Sequence, residues 1–158
     1  MSKLRGLMIP FSEKFPKLAE RETRTVTLLN ECNVWNLPAG KYVFLESYCG
    51  DPKCDCRHAF INVGYVEKSC EGEDKLRILA TIGYGWDTLD YYSTWFGSRD
   101  DLPPDEDIVR DFKGPVLEIG GVFSKHSLKI LKLFKDIMLN DAVFIQRLKK
   151  HYRLFKGY

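Results

Sequence analysis

Between Lys41 and Gly85, apolar and polar residues alternate in three runs separated by turn-forming residues. "KYVFLESYC" predicts a strand with Val43, Leu45 and Ser47 on one face and Tyr42, Phe44, Glu46 and Tyr48 on the other. "HAFINVGYVEKS" predicts a second strand. After the turn "CEGEDK", "LRILATIGYG" predicts a third. Upstream, the β-branched stretch "TRTVTLL" predicts a further strand, and "NLPAG" (Asn36 to Gly40) a turn. Strands this close in sequence, with short links, imply an antiparallel meander. The first twenty or so residues, punctuated by Pro10 and Pro16, read as loop or short helix.

Beyond Gly85 the period changes. "GWDTLDYYSTWFG" predicts a helix capped by Asp87 and ended by Gly97. "DLPPDED" reads as a polar, proline-rich loop, and "KGPVLEIGGVF" as an extended segment with glycine bends. Two amphipathic helices follow. The first covers Ser127 to Leu139, with Leu128, Leu131, Phe134 and Met138 in an apolar stripe beside Ile130, Leu133 and Ile137. The second covers Asp141 to Phe155, where Phe144, Leu148, Tyr152 and Phe155 face inward and Lys149, Lys150, Arg153 and Lys156 outward. The expected architecture is α+β: a small antiparallel β-meander with C-terminal helices packed against it, in a single domain spanning 1–158.

Composition fits a folded chain, with 44% hydrophobic and 29% charged residues. No apolar run reaches the ~20 residues of a transmembrane helix. The N-terminus lacks the apolar core and cleavage site of a signal peptide, so a cytoplasmic location is expected, with no membrane partner. The net charge of +2 is unevenly spread: Ser124 to Tyr158 holds nine Lys/Arg against two Asp/Glu, leaving the remainder acidic. A basic helix carrying Lys149, Lys150, Arg153 and Lys156 suits contact with a protein or nucleic acid, or simply a solvated face.

The chemistry concentrates in "YCGDPKCDCRHAF", where Cys49, Cys54 and Cys56 fall within eight residues. Asp51-Pro52 begins a turn, so a strand ending at Cys49 and another starting just after Cys56 bring the sulfurs together. Zinc takes thiolates at ~2.3 Å in a tetrahedron, and a strand–loop–strand clamp supplies three of them. Lys53 and Arg57 are placed to offset the negative charge. In a reducing compartment this reading is preferred over a disulfide, a redox or catalytic cysteine, or coincidence. The expected metal ligands are Cys49, Cys54, Cys56 and His58. His126, His151, Asp55, Cys70 or water remain alternatives for the fourth position. Cys70 completes the count, but at strand spacing it lies roughly 40 Å along.

"ESYCGDPKCDCR" resembles the Tyr-Cys-x4-Cys-Asp-Cys-Arg signature of an uncharacterised, mainly prokaryotic protein family. "LRILATIGYGW" and "FIQRLKKHYRLFKG" resemble its later segments. The resemblance spans roughly residues 40 to 158. It implies the metal site and no particular activity.

Two further sets of residues are noted. Glu46 and Glu118 are carboxylates within apolar stretches, expected on solvated faces rather than as buried acids or bases. Tyr84, Trp86, Tyr91, Tyr92 and Trp95 suit a sheet–helix corner better than a base-stacking platform. The function expected is a zinc-stabilised binding module. The alternative is a metal- or thiol-dependent enzyme with an open coordination position, and the number of protein ligands decides between them.

Overall fold

A computed structural model describes residues 7–99 and 105–158. Three long strands form its centre: β3 (Gly40–Cys49), β4 (His58–Glu67) and β5 (Lys75–Gly85), paired antiparallel in sequence order. Two earlier strands, β1 (Met8–Pro10) and β2 (Arg24–Leu28), share the free edge of β3. Met8 lies opposite Cys49 and Arg24 opposite Phe44. A two-residue strand, β6 (Val116–Leu117), closes the far edge on β5. The expected meander is therefore the middle of a six-stranded sheet.

Strand alternation sorts the sheet into two faces. Tyr48, Ala59 and Tyr84 align across the three strands, as do Glu46, Ile61 and Ile82, and Phe44, Val63 and Ala80. Helices cover this face. They are α1 (Phe11–Lys14) and α2 (Pro16–Glu22), then α5 (Ser127–Leu133), continuing through a π-helical turn at Phe134–Met138, and α6 (Ala142–Lys156). Asp141 caps α6 by accepting from the backbone N–H groups of Val143 and Phe144, as its position predicts. Phe144, Leu148, His151, Tyr152 and Phe155 are buried along one side of α6. Each large apolar side chain among them contributes roughly 1.5–3 kcal/mol by leaving water.

The opposite face carries Ser47, Cys49, His58 and Phe60. Over its cysteine end lie α3 (Leu89–Arg99) and α4 (Glu106–Lys113), packed against each other through aromatic rings. Phe112 of α4 meets Tyr92, Trp95 and Phe96 of α3 at centroid distances of 5.1–5.5 Å.

Several local expectations need correction. Leu128 is 69% exposed, because Ser127 takes the inward position at the start of α5, donating its hydroxyl to the Leu79 carbonyl. Thr88, not Asp87, caps α3, since its hydroxyl accepts the Tyr91 N–H, and the helix runs through Gly97 to Arg99. The loop expected at 101–107 lies partly outside the described residues. Its end is already helical: Asp105 caps α4 by accepting the Asp107 N–H. The aromatic residues expected at one corner divide between faces. Tyr84 packs on Phe134 beneath the helices, whereas Tyr92 and Trp95 lie with Phe112.

Gly114 ends α4 at φ +65, and a Cβ there would sit 2.4 Å from the Gly83 carbonyl oxygen. Gly114→Ala is expected to cost about 2 kcal/mol and lower the melting temperature by about 4–8 °C. A thermal melt matching the parent would contradict this account of the turn.

Candidate metal centre

Cys49 closes β3 beside Met8, and the Gly50 N–H donates to the Leu7 carbonyl. The chain then turns. The Asp51 side chain accepts the Lys53 N–H, and its carbonyl accepts the Cys54 N–H. Arg57 adopts φ +46, kinking the backbone just before β4 begins at His58. Side chains from two helices, α3 and α6, pin this loop. Tyr91 donates to the Asp55 carbonyl, and Tyr92 to the Arg57 carbonyl at 2.7 Å. Tyr152 accepts the Arg57 N–H and donates to the Asp55 carboxylate. Lys156 donates to the Asp51 carbonyl at 2.8 Å.

The result brings Cys49, Cys54 and Cys56 together, buried, with all three sulfurs within 4.8 Å of one another. A tetrahedral ion with ~2.3 Å bonds needs sulfurs about 3.8 Å apart. The three cysteines are therefore close enough to hold a metal ion with at most a small contraction. Among the described residues this is the one group of three or more ligand-type side chains so placed. All five cysteines are free thiols, and Cys32 and Cys70 are exposed away from the cluster.

The electrostatics favour one thiolate shared by three sulfurs. Hydrogen bonds from Cys54 and Cys56 hold Cys49 far below the usual thiol range, helped by the Asp51 backbone and the Lys156 charge. The same bonds push Cys54 and Cys56 up, and burial adds to both. A divalent cation would displace the two remaining protons, so its affinity rises with pH.

A cavity of about 440 Å³ opens onto the sulfurs, walled mainly by Met8, Phe60, Trp95 and Phe112, with His58 and Glu118 as its polar groups. His58 is 3% exposed and stacks on Phe112 at 4.3 Å. Burial pushes its pKa down to about 4, partly offset by the Phe112 carbonyl. At neutral pH the ring is uncharged, so Nε2 carries the proton it donates to that carbonyl at 2.6 Å, and Nδ1 keeps its lone pair. His58 shares the cavity with the cysteines but lies outside the 4.8 Å group.

Other expected ligands are held elsewhere. The Asp55 carboxylate is turned toward Tyr152 and Arg57. His151 is buried between two acids, with Nδ1 2.7 Å from Glu46 and Nε2 2.8 Å from Glu22. His126 sits at the start of α5. Glu46, expected on a solvated face, is 9% exposed because it shares the inward face of β3 with Tyr42, Phe44 and Tyr48. Tyr48 donates to it at 2.5 Å. The expected charge partners also differ. Arg57 is bound to Asp55 and Asp87 with its guanidinium over Tyr91, and Lys156 takes the place beside the sulfurs.

Of the basic residues on α6, Lys150 pairs with Glu22 and Lys156 with the loop, whereas Lys149 and Arg153 line a second pocket. The cavity walls Met8, Trp95 and Phe112 were not legible as site residues, since nothing local links them to the cysteines. Among the described residues no helix is long and apolar enough to cross a membrane. No family model matches the chain, and neither curated proteins nor solved structures yield a match.

Proposed function

We propose that Cys49, Cys54 and Cys56 bind one zinc ion as thiolates, with its fourth position turned into the adjoining cavity, making this a zinc-dependent enzyme or small-ligand receptor. Three observations support zinc. The donors are all sulfur, the cluster is buried, and a lysine lies beside the excess negative charge. The carrying observation for the open position is the 440 Å³ cavity directly on the sulfurs, with walls that suit an apolar group. A site closed by four protein ligands would need no such space.

In this reading the zinc ion would polarise an oxygen or sulfur atom of the occupant. The neutral His58 beside it has a lone pair to accept a proton, and Glu118 supplies a second polar contact. The compartment that suits three reduced thiols is the cytoplasm.

Metal analysis of protein purified without chelators is expected to find about one zinc per chain. His58→Ala is expected to keep that metal. Cobalt substitution is expected to give sulfur-to-cobalt charge-transfer bands that shift when a small thiol is added. Metal below half an equivalent would sink the site. Loss of metal in His58→Ala would place His58 in the fourth position, returning the protein to a closed, zinc-stabilised module.

A further inference from the structure

The cysteine loop has a second side. Asp55 and Arg57 alternate with Cys54 and Cys56, and they face a separate pocket of about 290 Å³ between the loop and α6. That volume lies at the lower end of the range for small-molecule sites. Its lining differs from that of the sulfur cavity, being more polar than apolar and rich in charge and aromatic surface.

The charges facing it are Asp55, Asp87, Arg57, Lys149 and Arg153. Arg57 is committed: it bonds both carboxylates, at 3.1 and 2.8 Å, and stacks over Tyr91. Lys149 and Arg153 are not committed. Among the described residues neither side chain forms a hydrogen bond or ion pair, although their neighbours Lys150 and Lys156 do. They stand four residues apart on α6, so they are neighbours one turn apart and repel each other. An anion between them removes that repulsion. Aromatic surface comes from Trp86, Tyr152 and Tyr158, with Tyr152 in edge contact with the other two at 5.1 and 6.3 Å.

We propose that this pocket binds a nucleoside monophosphate, free or at the end of a strand, with its phosphate on Lys149 and Arg153 and its base against Trp86 and Tyr158. The recognition divides by chemistry. The two cations meet the phosphate. Aromatic rings stack on any base, because every base has a π-face. The Asp55 and Asp87 carboxylates accept from ribose hydroxyls without losing Arg57. An inorganic anion uses only the first of these contacts and an apolar molecule only the second. The proposal is independent of whether the cysteines hold metal.

The test is titration calorimetry on the full chain, with quenching of tryptophan fluorescence as a second readout. The probes are AMP, GMP, CMP and UMP, then adenosine, ribose 5-phosphate and a 5′-phosphorylated hexanucleotide. At least one monophosphate is expected to bind with a Kd of about 10–100 µM. Adenosine and ribose 5-phosphate are each expected to bind at least tenfold more weakly than that nucleotide. A Lys149→Ala/Arg153→Ala variant is expected to bind at least tenfold more weakly while melting within about 2 °C of the parent, since among the described residues neither lost side chain forms a hydrogen bond or ion pair. Tighter binding of the hexanucleotide assigns the ligand to a strand end. Tighter binding of the monophosphate assigns it to a free nucleotide. The proposal is overturned if no monophosphate saturates below 1 mM, if ribose 5-phosphate binds as well as the nucleotides, or if the double variant binds like the parent.

Discussion

A Cys54→Ser chain is expected to purify with less than about a tenth of an equivalent of metal and to melt about 6–12 °C below the parent, for a loss of about 3 kcal/mol. Serine keeps the size and the hydrogen-bonding capacity of cysteine, so the metal-free loop changes little. In the proposed reading the variant loses the ion, which would bind the folded clamp far better than the unfolded chain and so stabilise it by mass action. The loss is specific to one loop because Cys54 lies with Cys49 and Cys56 in a single buried cluster. Two controls follow from the same reasoning. Parent protein stripped by a chelator is expected to melt where the variant does, and the chelator is expected to leave the variant unmoved. A Cys54→Ser chain that melts like metal-loaded parent removes the stabilising role.

His151→Ala is expected to cost about 3–5 kcal/mol. Glu46 is buried beneath α6, and its carboxylate is held by Tyr48 at 2.5 Å and by His151 at 2.7 Å. Removing the imidazole leaves that carboxylate with one donor among the described residues, and also empties the space where the ring stacks on Phe11 at 4.1 Å. The loss is expected to depend on pH in a defined window. Burial pulls the His151 pKa down, but the bonds and charges of Glu46 and Glu22 outweigh it and leave the pKa above 6.5. The hydrogen bond from His151, ahead of the Lys150 charge, leaves Glu22 below 4.5. A raised histidine contributes stability that is complete below 6.5 and is lost as pH rises through its folded value. A lowered carboxylate contributes stability that is complete above 4.5 and is lost as pH falls through its folded value. The gap between parent and variant is therefore widest between pH 4.5 and 6.5 and narrows on both sides. Urea denaturation at pH 5.5 and 8.5 reads it directly. A gap under 1 kcal/mol, or one equal at the two pH values, contradicts the buried charge network.

Glu46 also marks where sequence reading stops. Alternation along β3 placed it on the same face as Tyr42, Phe44 and Tyr48, which is the buried face. Its polarity pointed to solvent. The deciding residue, His151, is 105 positions away, and no local signal joins the two. The cysteine cluster was legible for the opposite reason. All three donors lie in one loop between paired strands, so local geometry alone brings them together. The long strands and α6 were legible because their periods run over ten or more residues. Three-residue β1 is too short to carry a period, and α4 follows a proline-rich acidic stretch that reads as loop. Yet those two elements wall the cavity, through Met8 and Phe112. The cysteine cluster was readable in the sequence and its chamber was not.

The alternation of residues 54–57 has a thermodynamic consequence. Cys54 and Cys56 look into one chamber and Asp55 and Arg57 into the other, on a backbone pinned by Tyr91, Tyr92 and Tyr152. An occupant of one chamber that shifts this backbone would alter the affinity of the other chamber, and that effect would be reciprocal, each changing the other by the same factor.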